Sequence, residues 1–271
     1  LFPCISYIRV FMPESLVEPC RCFISVISHG HGNMIIDEGC LKLLASNNYI
    51  VVLKDNKPQR ELQEYCQESG IHYLVDQPMG FGANNNYIFT WCQQELGMRD
   101  GDRFLVLNPD VFIEPSVLAA LLLHAEQNTY SLVAINLFND KNFTIYDKGI
   151  RHFPTISSFA VSFLLQKNKS IYDKDKITQD TEVEWAAGSF LLFTAKCYRE
   201  LGGFDTRYYM YCEDLDICWR ARRELGINVV YLPQFKALHL AQMRSRSLFS
   251  KHFIWHVTSA LRFCLKQALN R

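Results

Sequence analysis

The chain has 271 residues, 49% of them hydrophobic, and its 28 basic and 28 acidic side chains cancel to a formal net charge of +0. That length holds one large domain or two small ones around a substantial core. The charge balance argues against a nucleic-acid partner, and no apolar run reaches the ~18 residues needed to span a bilayer.

Residues 1–21 open on Leu1-Phe2-Pro3-Cys4, without an initiator Met and without the charged start and apolar centre of a signal peptide. They are read as a leader or extension. The ten cysteines include one close pair, Cys20 and Cys22, with a spacing that suits neither a zinc knuckle nor a redox pair. Scattered and flanked by apolar residues, they fit buried free thiols in a reduced, cytosolic protein.

Cys22 to Ser28 reads as a buried strand, followed by a His29-Gly30-His31-Gly32 turn and one helix through Leu44. A second strand runs from Tyr49 to Lys54 and ends on Asp55-Asn56. Arg60 to Ser69 is a helix, Ile71 to Val75 a third strand, and Ala83 to Leu96 a helix behind Gly80-Phe81-Gly82. Arg103 to Leu107 is a fourth strand ending on Asn108-Pro109-Asp110. Ser116 to Gln127 is a helix and Leu132 to Leu137 a strand. After a less regular stretch, Val183 to Phe193 is a loop entering a strand, and Ala195 to Leu201 is a helix closed by Gly202-Gly203. An acidic helix covers Asp214 to Leu225, a strand covers Asn228 to Leu232 and leads on to His239, and a basic amphipathic helix starts at Leu248. Alternating strands and helices predict an α/β architecture with a largely parallel sheet. The boundaries are a body over 22–245 and a helical tail over 246–271.

Chemistry-bearing residues recur at strand ends, where open α/β sheets place ligands. Asn108 and Asp110 offer two oxygen ligands one residue apart after an apolar strand, a spacing that suits a hard cation on a diphosphate. The bland reading is an Asx/Pro turn. Asp55-Asn56 suits a nucleobase or ribose, or again a turn. The glycines at 80 and 82 permit close backbone approach but lack the Lys of a P-loop. His29 and His31 have no third ligand nearby and read as loop residues. The sharpest signal is Glu213-Asp214-Leu215-Asp216 behind an aromatic run. Asp216 has an i,i+4 partner in Arg220, whereas crowded Glu213 and Asp214 point to a general base.

Taken in order, these pieces resemble the family 2 inverting glycosyltransferases of the GT-A fold, with most similarity to bacterial rhamnosyltransferases of O-antigen or cell-wall linker assembly. The matching residues are Ile24 to His29, Asp55-Asn56, Gly80-Phe81-Gly82 with Asn86, Leu107 to Asp110, Trp185 to Phe190, Gly202 to Asp205, Tyr211 to Arg220, and His239. The resemblance implies a three-layer, Rossmann-like, mostly parallel sheet. It implies donor-nucleotide contacts at Ser28, Asp55, Asn56, Gly82, Asn86 and Asn108, acceptor contacts at Trp185 and Gly188, and a base at Asp214 beside Glu213. It also implies a Mg²⁺ or Mn²⁺ ion on Asp110 and His239, with Asn108 departing from the usual first acid of that motif.

The implied donor is a nucleotide sugar, dTDP-L-rhamnose, and the implied acceptor a GlcNAc-diphospho-polyprenol-type lipid-linked saccharide. Together they place the protein in the cytoplasm, peripheral at the inner face of the bacterial inner membrane. The tail helix, with Lys251, Arg262 and Lys266 among bulky apolar residues, is expected to lie on anionic lipid, or else to pack in the core or in a homodimer contact. A nucleotidyltransferase and a non-catalytic nucleotide-sugar-binding subunit are the alternatives.

Overall fold

The computed structural model describes residues 20–154, 170–240 and 251–269, the last helix in backbone only as far as residue 254. Most of the expected leader lies outside these residues, as do Leu248, where the tail helix was expected to start, and the side chain of Lys251.

Continuous apolar runs become the central strands because both of their faces are covered. Strand β1 (Cys22–Ser28) pairs in parallel with β2 (Ile50–Asp55) and with β4 (Arg103–Leu107), and β2 pairs in parallel with β3 (His72–Val75). Further along, β6 (Leu132–Phe138) pairs in parallel with β11 (Val229–His239). Between these groups lies β10 (Phe190–Thr194), antiparallel to both β4 and β6. Short β5 (Val111–Phe112) and β8 (Thr181–Val183) run antiparallel to β11, giving the order β3-β2-β1-β4-β10-β6-β11-β5. The expected parallel sheet is thus mostly parallel, with one reversed strand near its centre. A separate ribbon pairs β7 (Ile150–Arg151) with β9 (Trp185–Ala186).

The three expected layers are present. On one face, α1 (Gly32–Glu38), α2 (Cys40–Ser46), α3 (Arg60–Glu68) and α5 (Pro115–Gln127) cover Ile24, Val26, Val51, Leu105 and Ile135. The alternate residues Phe23, Val52, Phe104, Val106 and Leu191 face the other way, against α4 (Phe81–Glu95), α6 (Ala195–Glu200) and α7 (Glu213–Glu224).

Several element limits differ from the sequence reading. The single helix expected through Leu44 breaks at Gly39, whose left-handed φ of 64° caps α1 and starts α2. The strand expected to stop at Leu232 runs on to His239, with a register shift between Leu232 and Lys236. Pro233 lies in that shift, where the ladder does not need its absent N–H. The nine cysteines in the described residues are all free, and none of the described helices is long and apolar enough to cross a membrane.

The C-terminal helix α8 (Lys251–Leu269) turns Ala260 and fully buried Phe263 onto Tyr208, Cys212, Leu215 and Trp219. Lys266, expected to face lipid, points inward instead. Its Nζ lies 2.6 Å from Asp216 and 3.5 Å from Asp205. The exposed large apolar residues of this helix are Leu261, Leu265 and Leu269, at 60–85% exposure, and Arg262 beside Leu261 is exposed as well.

Candidate active site

The tripeptide Ala187-Gly188-Ser189, between β9 and β10, gathers the site. The Gly188 N–H donates to Asp214 Oδ2 at 3.0 Å, and the Ser189 carbonyl accepts from the Asn108 N–H at 3.0 Å. One turn therefore ties the acidic helix to the end of β4. Gly188 fits closely there: a Cβ would come within 3.0 Å of the Phe81 ring and 3.5 Å of Asp214. Gly80 is tighter still, with a Cβ falling 2.1 Å from the Tyr209 carbonyl. Gly82 leaves room for Phe204 and approaches Glu213, so its role here is close packing of α4.

Asp214 is half-buried at the start of α7, and its Oδ1 accepts from the Leu215 N–H at 2.8 Å. Burial raises its pKa, while the Gly188 and Leu215 N–H groups and the Arg151 charge oppose that rise. Glu213 is buried, and its Oε2 has no hydrogen-bond partner among the described residues. Burial, then the charge of Asp214, pushes its pKa up to about 8. Burial and mutual repulsion disfavour ionising both carboxyls, so near neutral pH Glu213 keeps its proton.

A second acidic group forms at the ends of β4, β6 and β11. Asp110 Oδ1 lies 3.5 Å from His239 Nε2, and Asp147 Oδ2 lies 2.9 Å from His239 Nδ1. Burial alone would lower the His239 pKa, but its hydrogen bonds to Asp110 and Asp147 raise it to about 9. Burial likewise favours the neutral carboxyls, yet the His239 charge holds both below the usual carboxylate range. Asp147 was passed over in the sequence because it belongs to no motif and stands 92 residues from His239.

No group of three or more metal-ligating side chains occurs among the described residues. Asp110, with His239 once an ion displaces the proton from Nε2, would fit an ion that takes its remaining ligands from a diphosphate and water. The carboxylate on Nδ1 would orient the imidazole for it.

The expected donor residues divide into two kinds. Buried Ser28 and Asp55 end the adjacent strands β1 and β2. Asp55 accepts from the Lys57 N–H and the Tyr73 hydroxyl, which leaves lone pairs over for a ligand. Asn56 instead holds the 77–79 loop, bonding both the N–H and the carbonyl of Met79 and accepting from Lys54. Asn86 is similarly engaged, with both polar atoms on Phe204 and its oxygen also on the Tyr198 hydroxyl. These two amides shape the cleft's walls. Trp185 is half-buried on β9 and donates from its indole to the His152 carbonyl, with the Arg151 guanidinium over its ring.

No family model matches the chain. Solved glycosyltransferases share its fold. GalNAc-T7 with UDP, GalNAc and Mn²⁺ superposes with a TM-score of 0.57 at 13% identity, over 91% of this chain and 48% of that one. The Pyrobaculum calidifontis mannosyltransferase PcManGT, in complex with GDP-Man and Mn²⁺, gives 0.55 at 13% identity, over 89% and 64%. The chain thus spans less than two thirds of either solved protein, and its architecture is that of a GT-A glycosyltransferase.

Sequence relatives narrow the class. The rhamnosyltransferase WbbL of Escherichia coli K12 is 36% identical over 91% of this chain and 94% of its own length. The N-acetylglucosaminyl-diphospho-decaprenol L-rhamnosyltransferase of Mycobacterium tuberculosis is 30% identical over 73% and 69%. The chain belongs to the family 2 glycosyltransferases, among the rhamnosyltransferases.

Proposed function

We propose that the protein transfers L-rhamnose from dTDP-L-rhamnose to a GlcNAc-diphospho-polyprenol-type acceptor at a membrane surface, with inversion at the anomeric carbon. The observation that carries this reading is the pairing of two unlike acidic sites across one turn: the Asp214 carboxyl held on Gly188, and Asp110–His239–Asp147 at the neighbouring strand ends. The relatives' names support the sugar, and the mycobacterial relative's name supports the acceptor class.

In this reading Asp214 accepts the proton of the acceptor hydroxyl as its oxygen attacks the anomeric carbon opposite the nucleotide. Burial makes Asp214 more basic than a free carboxylate, nearer the operating pH, which favours proton transfer. Protonated Glu213 adds no second charge that would push Asp214 off that role. Asp55 contacts the nucleobase, with Ser28 and Asn108 along the nucleotide and Gly82, Asn56 and Asn86 holding the surrounding walls. Trp185 and Gly188 border the acceptor. Asp110 and His239 would hold Mg²⁺ or Mn²⁺, whose charge would stabilise the leaving diphosphate. The exposed leucines of α8 rest on the membrane that carries the acceptor.

The test is turnover of purified protein with a panel of nucleotide sugars and a short-chain GlcNAc-diphospho-lipid. dTDP-L-rhamnose with Mg²⁺ or Mn²⁺ is expected to give dTDP release and a disaccharide-lipid product. Asp214→Asn is expected to lower the rate about 10²–10⁴-fold while donor binding is retained. Turnover with another sugar alone would overturn the donor assignment, and an active Asp214→Asn would remove the base.

A further inference from the structure

The backbone just before the acidic pair is unusual. Tyr211 and Cys212 both adopt left-handed conformations, with φ of 72° and 66°, although neither is glycine. The other non-glycine residues of this kind among those described, Asn48, Thr129 and Phe143, stand singly. Backbone in this region persists where its surroundings over-determine it, and it concentrates at functional sites. Cys212 is also the N-cap of α7 and makes no side-chain capping bond, so the helix does not hold the turn by itself.

The C-terminal helix supplies the restraint, residue by residue. Tyr208 packs in the α8 cluster, with the Arg262 guanidinium over its ring. The Tyr209 ring lies 4.8 Å from that of Trp255, and the Met210 carbonyl accepts from the buried Ser259 hydroxyl at 3.0 Å. The Tyr211 ring lies 5.3 Å from His256, and Cys212 closes the cluster with Ala260 and Phe263. Five consecutive residues thus meet one helix, just ahead of Glu213.

A second anchor lies beyond the turn. Asp216 is fully buried, receiving Lys266 Nζ of α8 at 2.6 Å and Arg220 Nε at 2.7 Å. Residues two apart on a helix point to nearly opposite sides. Holding Asp216 toward α8 therefore fixes the rotation of α7 that turns Asp214 toward Gly188.

We infer that α8 is a positioning element of the catalytic centre, in which Ser259 and Lys266 hold the 208–212 turn and the first turn of α7 so that Asp214 faces the acceptor. This rests on the reading of Asp214 as the base. A shift of about 1 Å in a catalytic group can cost on the order of 10²-fold in rate, so loosening either anchor acts on chemistry before it acts on donor binding.

The experiment compares Ser259→Ala, Lys266→Met and Lys266→Arg in the full chain, on a water-soluble acceptor so that membrane contact plays no part. Ser259→Ala and Lys266→Met are expected to lower kcat about tenfold or more, with donor KM and dTDP affinity within twofold of wild type. Lys266→Arg is expected to recover most of the loss. Unchanged kcat in both Ser259→Ala and Lys266→Met, with or without a lower Tm, would overturn the inference, as would a kcat loss that only tracks loss of folded protein in both. Asp214→Asn runs alongside. If it turns over normally, the base reading itself has failed; if it is inactive while the α8 variants match wild type, the positioning role alone is lost.

Discussion

Glu213 shows how much a single side chain's surroundings decide. It adjoins Asp214 in sequence, and burial together with that neighbour's charge raises its pKa. Its folded pKa of about 8 lies above the ordinary 4.5, so between those values the folded state binds the extra proton. Stability contributed by this group is complete at low pH and is lost as pH rises through that window. Glu213→Gln, which keeps the shape and abolishes the titration, is expected to flatten the fall in Tm between pH 4.5 and about 8, and to retain most turnover. A wild-type slope in that variant would show that another group titrates. Asp147 acts at the same scale through His239. Outer carboxylates on ligating histidines are worth about 10–100-fold in metal affinity. Asp147→Ala is expected to weaken Mn²⁺ binding in the presence of dTDP by that factor, read by calorimetry, and unchanged affinity would detach Asp147 from the metal. The acids at 110 and 214 were legible because each follows a recognisable local pattern. Asp147 was not, because its meaning depends on a contact made only when β6 and β11 pair.

At the scale of elements, the turn from Ala187 to Ser189 is the joint on which the site depends. Its sequence suggested a loop entering a strand, and the turn does lead into β10. What the sequence did not disclose is that the reversed strand β10 carries the turn into the middle of the sheet, between β4 and β6. Local apolar patterning carries no strand direction, so the reversal of β10 was not legible in it. The same limit applies to Asn86, whose position in a motif suggested the nucleotide, whereas its amide serves Phe204 and Tyr198. Gly188→Ala tests the joint. Its Cβ would meet Phe81 at 3.0 Å, so the ring or the acid must move. Turnover is expected to fall about 10–100-fold with dTDP affinity nearly unchanged. A variant with wild-type kcat would mean that Phe81 yields and Asp214 does not depend on this contact.

At the scale of the whole molecule, alternating strand and helix patterns were enough to read three layers, since burial on two faces leaves a strong mark on composition. The tail was read less well. Its amphipathicity was visible, but which face met the protein depended on Phe263 and Lys266 finding partners around Trp219 and Asp216. With those turned inward, the apolar surface left for lipid is Leu261, Leu265 and Leu269, four residues apart on one side of α8, beside exposed Arg262 and with half-exposed Tyr209 elsewhere on the surface near Trp255. Apolar burial at an interface, more than basic charge, is then the main attraction. Fully burying a leucine is worth about 1.5–3 kcal/mol, and partial insertion of three supplies part of that sum, a reversible hold suited to an enzyme that must meet a lipid-linked sugar. Replacing the three leucines by Ser is therefore expected to release the protein from vesicles, with little effect of raised salt on wild-type binding. Turnover of a water-soluble acceptor should persist, because none of the three touches the 208–212 turn in the contacts described above. Cosedimentation that survives the triple substitution but collapses in high salt would instead assign the attraction to basic side chains.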